Sequence, residues 1–295
     1  VGSARSVEGF SMFEAVESVQ ALCTKWGGHA LAAGMTVAAD QLEAFDLQIN
    51  QYAQTQYPQM PEKCYAIDHQ LTLGELTVEQ IRMLDRLEPY GSSNPEPIFL
   101  LRRAVLAQIA PLSGGKHLRL GFQLQDGTLQ ALYFGVSPDR FHYRPGAALD
   151  LLVHLSINHW NGNDSVSVQI VDLRPTQLEQ DKFFRAKQAY ERIMRKEPVG
   201  AAAARQAVPS REEFAAVYRL LRKMGRFTGS AETLYCLLSN QINFCKLSII
   251  LEVLQEKGLV QSDGSGDEIV VCAQPPRVDI LDAPLLHSLQ QEIGE

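Results

Sequence analysis

The sequence lacks the features that are typical of secreted and membrane-spanning proteins. Its five cysteines are odd in number and scattered, with no C-x-x-C pair, at Cys23, Cys64, Cys236, Cys245 and Cys272. This pattern favours reduced thiols over a disulfide framework or a zinc site. No apolar run approaches ~18 residues, and no basic stretch followed by an apolar run opens the chain. We therefore expect a cytoplasmic protein with no membrane contact, and 295 residues indicate two or three domains.

The chain also has little positive charge, and that charge is unevenly distributed. The net charge is −7. Residues 1–100 carry 5 basic and 13 acidic side chains, whereas residues 101–175 carry 7 and 5. Residues 176–209 carry 7 and 4, and residues 210–295 carry 8 and 12. A polyanion is therefore expected to meet the middle of the chain or a few local arginines.

Two glycine-bearing stretches near the start of the chain are candidate anion sites. In residues 26–34, Gly27-Gly28-His29 precedes a run of small residues closed by Gly34. We interpret this stretch as a tight helix start, whose free N–H groups and histidine suit an anion. Upstream, residues 2–6 offer hydroxyl and guanidinium donors suited to a phosphate. The alternative is two ordinary turns and a packed histidine, because a glycine-rich loop is a weak signal.

The periodicity predicts an α+β protein with several domains. Residues 1–62 fit a small α/β domain with helices capped by Ser11 and Asp40. A strand at 63–73 and a helix capped by Thr77 follow, before a proline-rich loop. Alternating apolar residues then predict five short strands at 98–110, 117–124, 128–134, 148–157 and 165–171. Five antiparallel strands in so short a segment predict an oligonucleotide-binding (OB) barrel, within a domain covering residues 63–175.

The last part of the chain fits a helical linker followed by a winged-helix-like domain. Residues 176–208 form the predicted linker, with a charged amphipathic helix over 176–197. In residues 209–295, helices capped by Ser210, Ser230 and Asn243 precede a hairpin that turns at residues 262–266. Because this domain is acidic overall, we favour a role in partner binding or domain packing over binding of duplex DNA.

Three motifs in order carry a resemblance to a known family. They are Gly2-Ser3-Ala4-Arg5-Ser6, Gly27-Gly28-His29 with Ala33-Gly34, and Leu87-Glu88-Pro89-Tyr90-Gly91 with Asn94-Pro95-Glu96-Pro97. With the barrel that follows them, they resemble the RecJ family of single-strand-specific 5′→3′ DNA exonucleases, which belongs to the DHH phosphoesterase superfamily and acts in DNA repair and recombination. The resemblance covers residues 1–175; residues 176–295 are similar, with less specific motifs, to the extra C-terminal domain of some RecJ proteins.

The resemblance implies that the chain is the C-terminal portion of such an enzyme. Residues 1–62 correspond to most of the DHH-associated domain. The DHH domain, which binds two Mn²⁺ or Mg²⁺ ions through Asp and His ligands, is expected to lie on chain that precedes Val1. The sequence contains no Asp-His-His, and we interpret Asp68-His69 as a coincidence in a strand. We therefore expect this chain to hold no metal and to be inactive by itself.

The resemblance also assigns roles to individual residues. It implies that His29 is catalytic, contacting the scissile or adjacent phosphate. It implies phosphate binding by Ser3, Arg5, Ser6, Gly27 and Gly28. For the barrel, the candidates for tracking the strand and stacking on bases are Arg102, Arg103, Lys116, Arg119, Tyr133, Phe134 and Trp160.

The expected partner of the chain is single-stranded DNA. The family's role in repair adds single-strand-binding protein and a RecQ-type helicase as candidate protein partners. Two other functions stay open. One is a non-catalytic nucleic-acid-binding or adaptor protein, and the other is a different DHH-family phosphoesterase acting on short RNA or cyclic dinucleotides.

Overall fold

The structure is a computed structural model that describes residues 1–91, 93–238, 241–263 and 267–294. The chain divides into two units, Val1–Ala66 and Ile67–Glu295. In the described residues, no helix has the length and apolar character needed to cross a membrane. The domain boundaries predicted within these units stay predictions.

The first unit is a three-stranded antiparallel sheet with two helices. Its elements are β1 (Gly2–Arg5), α1 (Met12–Ser18), β2 (Cys23–His29), β3 (Ala32–Val37) and α2 (Leu42–Gln56), and the strand order is β1-β3-β2. The Ser11 hydroxyl caps α1 by accepting from the Glu14 N–H, as the sequence predicts. Trp26 on β2 packs on Phe13 of α1 with ring centroids 5.4 Å apart, so α1 covers one face of the sheet.

The second unit begins with the five-stranded barrel that the alternation predicts. Its elements are β4 (His69–Gln70), α3 (Val78–Arg82), β5 (Phe99–Leu112), β6 (His117–Leu124), β7 (Gly127–Tyr133), β8 (Ala148–Trp160) and β9 (Asn163–Pro175). The order β4-β5-β6-β7-β9-β8, with β5 also pairing with β8, closes five strands into a barrel and leaves β4 outside it. Leu118, Leu120 and Phe122 of β6 are fully buried in the barrel core, because alternate residues of a strand point inward.

The rest of the second unit has the predicted winged-helix order. Its elements are α4 (Gln180–Met194), α5 (Ala201–Ala207), α6 (Arg211–Met224), β10 (Arg226–Thr228), α7 (Ala231–Leu237), α8 (Phe244–Glu256), β11 (Val260–Ser262), β12 (Glu268–Val271) and α9 (Pro284–Gly294). Ser210, Ser230 and Asn243 each accept a backbone N–H at a helix start, as predicted. The β11–β12 turn at residues 264–266 lies outside the described residues. The α+β fold class is thus confirmed.

Three local predictions were wrong. Residues 27–29 do not begin a helix: they lie in β2, joined to β3 by a turn at Ala30 and Leu31. The predicted strand at 63–73 is reduced to two residues in β4. Asp40 does not cap α2, whose N-cap is Gln41 with no side-chain bond.

Candidate nucleic-acid interface

The sheet of the first unit brings Arg5 and His29 to the same row. The register pairs Arg5 with Ala32 across β1 and β3, and His29 with Ala32 across β2 and β3. Because directly paired residues point to the same face, all three side chains share one face. Two strand spacings separate Arg5 from His29, or about 10 Å. Both side chains are exposed, so the face is open to a ligand.

The adjacent row leaves the middle of this face without side chains. The register pairs Ser3 with Gly34 and Gly34 with Gly27. A Cβ added at Gly27 would meet no atom within 4 Å, and one at Gly34 would meet only a carbonyl oxygen at 3.9 Å. We call the face formed by Ser3, Arg5, Gly27, His29 and Gly34 the open sheet face. Its glycines form a floor that a ligand backbone can approach closely.

Hydrogen bonds at the edge of the sheet give different roles to Ser3 and Ser6, the two serines predicted to bind phosphate. The Arg5 guanidinium donates from Nη1 to the Ser3 hydroxyl at 3.1 Å and to the Ala4 carbonyl at 2.9 Å, which holds it beside Ser3. The Ser6 hydroxyl instead donates to the Phe10 carbonyl at 2.7 Å. The Ser6 hydroxyl therefore stabilises the loop after β1, and we do not include Ser6 in the proposed phosphate-binding site.

Gly28 has a structural reason to be glycine. Its φ of +155° is in a region that L side chains rarely adopt, and an added Cβ would lie 2.6 Å from the Ala33 Cα. Gly28 pairs with Ala33, which is buried on the face that α1 covers. Gly28 thus sets the close approach of β2 to β3 and, through it, the position of His29.

The barrel distributes its candidate residues over different places. Arg119 points outward from β6, between the buried Leu118 and Leu120, and is exposed. Lys116 is exposed in the loop between β5 and β6. Trp160 is 71% exposed beside the Asn161-Gly162 turn between β8 and β9. The loops between the first and second and between the fourth and fifth strands border the ligand face of OB barrels.

Tyr133 and Phe134 differ in what they offer to a base. Tyr133 is half-buried and packs against the barrel core, on the same side of β7 as the buried Ala131. Phe134, just beyond β7, is 45% exposed and contacts the His117 ring edge-on at 5.1 Å. Tyr133 therefore has less of its ring available for stacking than the sequence prediction assumes.

Arg102 and Arg103 lie at a bulge that the sequence does not reveal. The pairing of β5 with β8 shifts between Leu101 and Ala104, and Arg103 has a φ of +55°. Arg119 pairs with Ala110, seven residues further along β5, which is about 23 Å along the strand. The structure therefore does not bring these two arginines together with Arg119.

Asp150 is the residue that sequence reasoning missed at this bulge. Its carboxylate, only 4% exposed, accepts from the Arg103 N–H at 3.1 Å and from the Thr176 hydroxyl at 2.8 Å. Arg174 lies 3.9 Å away. A buried carboxylate is stable only with such partners, so Asp150 fixes the backbone of the bulge at Arg103. A lone charge inside an apolar strand pattern is the signal that points to it.

The proline-rich motif forms a loop that is stabilised by hydrogen bonds between its own residues. The Asn94 side chain donates to the Leu87 carbonyl at 2.7 Å and to the Pro89 carbonyl at 3.1 Å. Gly91 and Asn94 also exchange backbone hydrogen bonds. Its Asn and Gly thus have structural roles at the entry to β5.

The residues Asp68 and His69 are engaged in local structure. Asp68 accepts from the Ile98 N–H at 2.9 Å, and His69 contacts Glu75 at 2.8 Å. Hydrogen bonds from Thr72 and His69 lower the pKa of Glu75 to about 2. Across the described residues, no group of three or more His, Cys, Asp or Glu side chains could hold a metal ion.

Comparison with known families agrees with this architecture. The DHHA1 domain family matches residues 1–55, and the RecJ OB domain family matches residues 67–172. The chain is thus a protein with a DHHA1 domain followed by an OB-fold domain. Over these residues it is similar to the RecJ family.

Curated relatives support the same assignment. The single-stranded-DNA-specific exonuclease RecJ of Thermus thermophilus is 34% identical over 182 residues, which are 60% of this chain and 25% of that protein. The RecJ of Bacillus subtilis is 29% identical over 175 residues, 58% of this chain and 22% of that protein. The RecJ of Escherichia coli is 29% identical over 182 residues, 59% and 31% respectively. The matched part thus spans about a fifth to a third of these relatives.

A solved structure of RecJ from Thermus thermophilus in complex with Mg²⁺ is also similar. It is 33% identical, with a TM-score of 0.44, and the match covers 59% of this chain and 26% of that one.

Proposed function

We propose that this chain binds single-stranded DNA and supplies the phosphate-binding and strand-binding part of a RecJ-like 5′→3′ exonuclease. The observation that carries the proposal is the open sheet face, where Arg5 and His29 flank Ala32 beside a glycine floor. The matches of residues 1–55 to the DHHA1 domain family and of residues 67–172 to the RecJ OB domain family support the same conclusion.

The chemistry of the open sheet face suits a phosphodiester. The planar Arg5 guanidinium presents parallel N–H donors that match two phosphate oxygens. The His29 ring donates to an oxygen of the same or the next phosphate and stabilises charge that develops there. Only the small Ala32 side chain stands between the two donors, and Gly27 and Gly34 in the next row let the sugar-phosphate backbone approach within hydrogen-bonding distance.

The barrel would hold the strand beyond the reacting phosphate. Lys116 and Arg119 supply positive charge for phosphates, and the exposed Trp160 supplies a surface for one base. OB folds bind oligonucleotides on the face of their second and third strands and at the loops between the first and second and between the fourth and fifth strands.

We assign the metal chemistry of the RecJ relatives to a part of the enzyme outside the described residues. RecJ of Thermus thermophilus has been solved with Mg²⁺ and with Mn²⁺. Because the described residues do not form a metal site, we propose that the complete enzyme binds its Mn²⁺ or Mg²⁺ through a separate DHH domain. We expect no cleavage by this chain alone. Mn²⁺-dependent nuclease activity of the purified chain that is abolished by His29→Ala would contradict this part of the proposal.

The test of DNA binding is fluorescence anisotropy with a 5′-labelled oligothymidylate over a range of salt concentrations. We expect Arg5→Ala to weaken binding by about tenfold and to reduce the salt slope by ~0.7, the loss of one single-strand phosphate contact. The matched control is Arg277→Ala, which removes one exposed positive charge far along the chain. Equal effects of the two variants would sink the assignment of Arg5.

The stacking role of Trp160 has a separate test. Trp160→Ala is expected to weaken binding by ~1–3 kcal/mol, the typical value of one stacked base. Trp160→Phe keeps a stacking surface and should retain most of the affinity. Unchanged binding of Trp160→Ala would remove this residue from the site.

The protein partners of the family also remain part of the proposal. We propose single-strand-binding protein or a RecQ-type helicase as a partner of the second unit. Calorimetric titration of the chain with each purified protein tests this, and absence of heat with both would contradict it.

A further inference from the structure

A groove of about 960 Å³ runs between the barrel and the winged-helix-like part of the second unit. On the barrel side it is lined by Asp139, by residues 141–144 and 146–149, and by Pro175 and Gln177. On the other side it is lined by the end of α6, β10 and the end of α7. We call it the interdomain groove. Its volume is at the upper end of the range of ligand sites.

The walls of the interdomain groove are fixed to each other. His142 contacts the Thr228 carbonyl through Nε2 at 2.7 Å, and its ring stacks on Phe227 with centroids 4.5 Å apart. Tyr143 is hydrogen-bonded to Cys236, whose pKa burial raises to about 11, so this contact is uncharged near neutral pH. The groove is therefore formed before any ligand arrives.

The charged groups of the interdomain groove are mostly basic. Arg144, Lys223 and Arg226 line it together with one carboxylate, Asp139. Arg226 is also paired with Glu268 at 2.9 Å. These groups alone leave a small positive excess.

The outer surface of α6 extends that excess. Arg219 and Arg222 are exposed on the same helix as Lys223, so four of the eight basic residues in 210–295 lie within residues 219–226. The acidic balance of 210–295 therefore hides a local basic surface beside the groove.

The interdomain groove also adjoins the bulge that carries Arg102 and Arg103. Leu149, which lines the groove, pairs with Ala104 on one side and with Pro175 on the other. Arg103 and Arg102 therefore lie one and two residues from Ala104, the β5 partner of a groove-lining residue. This is the end of the barrel that has no role in the proposed contacts of Lys116, Arg119 and Trp160.

We propose that the interdomain groove binds a second stretch of the same single-stranded DNA. The cations fit the phosphates, and the apolar walls at Leu220, Met224 and Leu237 fit the bases. This inference rests on the proposed DNA binding and extends it to a second contact, which only a strand longer than one barrel site can reach.

The test compares a short and a long oligothymidylate, of about 10 and about 30 nucleotides, since one OB fold covers ~4–16. In the variant Arg144→Ala/Lys223→Ala we expect affinity for the long strand to fall about fivefold or more. Its salt slope should fall by ~1.4, the loss of two phosphate contacts. Affinity for the short strand should not change.

The controls separate charge, folding and position. Arg211→Ala/Arg277→Ala removes the same charge from exposed positions outside the groove and should bind both strands normally. Lys223→Arg should retain long-strand affinity. Melting curves of each variant exclude unfolding as the cause of lost binding.

The outcomes distinguish the two proposals. Normal long-strand binding by the groove variant, with the parent chain binding both strands, overturns the groove alone. Failure of the parent chain to bind either strand overturns the proposed function and the groove together. Groove-dependent binding of hexaglutamate with no effect on either DNA overturns the groove's assignment to DNA and points to an acidic peptide.

Discussion

The two units of this protein present their candidate anion-binding groups on different kinds of support. In the first unit, Arg5 and His29 stand on regular strands, and the register alone sets their spacing. In the second unit, Lys116 and Trp160 stand at loops, and Arg103 stands at a bulge, around a barrel that the chain closes completely.

The hydrophobic cores of the two units also differ in how many large side chains they bury. The first unit buries few large side chains, and its longest helix, α2, has no fully buried residue. The barrel buries an interior of Leu, Val, Ile and Phe side chains from every strand. The stability of the barrel comes from its buried core, so the loops that bear Lys116 and Trp160 need not contribute to it. The stability of the first unit depends more on the backbone contacts between its strands.

The largest expected effect is a loss of stability in the second unit that leaves the first unit unchanged. Phe122 is 1% exposed in the barrel, and Phe122→Ala should destabilise the second unit by ~3–5 kcal/mol. The first unit should be unaffected if the units unfold separately. The two tryptophans, Trp26 and Trp160, lie in different units, so single-tryptophan variants can follow each transition in denaturant. An equal shift of both transitions would show that the units unfold together.

A smaller effect tests the backbone contacts of the first unit. Gly28→Ala forces a side chain toward Ala33 at a positive φ and should cost ~1–3 kcal/mol, with loss of DNA binding through displacement of His29. Gly27→Ala is the matched control, because its Cβ meets no protein atom. It should leave the unfolding curve of the first unit almost unchanged and weaken DNA binding by filling the floor.

The outcome that contradicts this interpretation is equal stability of the two variants. In that case the strained φ at Gly28 does not constrain the hairpin. Normal DNA binding by Gly27→Ala would likewise show that the glycine floor is not in contact with the DNA backbone.

The smallest expected effect concerns pH in the winged-helix-like part. Burial raises the pKa of Glu213, but hydrogen bonds from Lys246 at 2.9 Å and from Ser210 outweigh it, so the pKa is lowered overall. The folded protein therefore binds this proton less well than the unfolded chain. The stabilisation is present above the ordinary glutamate pKa and is lost as the pH falls through the lowered value.

We expect Glu213→Gln to remove this pH dependence and to cost up to about 1 kcal/mol at neutral pH, because Gln keeps the capping bond to the Ser210 N–H and loses only the ion pair with Lys246. Melting curves from pH 7 to pH 3 measure the effect. Glu212→Gln, on the exposed side of the same helix turn, serves as the control. Identical pH profiles for the two variants would contradict the assignment to Glu213.

Much of the fold follows from sequence patterns that are local. The recurrence of large apolar side chains at every second residue, Leu118, Leu120 and Phe122, predicts a strand, because the side-chain period of a strand is two. Ser210, Ser230 and Asn243 mark helix starts, because a capping side chain acts on N–H groups three residues away. These signals need no information from distant parts of the chain.

The open sheet face could be predicted only in part. The sequence identifies the residue types at Arg5 and His29 and, through the family motifs, their functional interest. It places His29 at a helix start, because glycines followed by small residues suit a tight helix as well as a hairpin. The choice of hairpin depends on β1 pairing with β3, a contact between segments almost thirty residues apart.

By itself, the sequence determined the five-stranded barrel, the winged-helix order and the candidate anion-binding residues of the first unit. Only the tertiary structure decided that Arg5 and His29 share a row, that Asp150 holds the bulge beneath Arg103, and that Arg144 and Lys223 face one groove. The physical reason is the range of the interactions. Periodicity and capping act within a few residues, whereas register, bulges and grooves depend on which distant segments exclude water together.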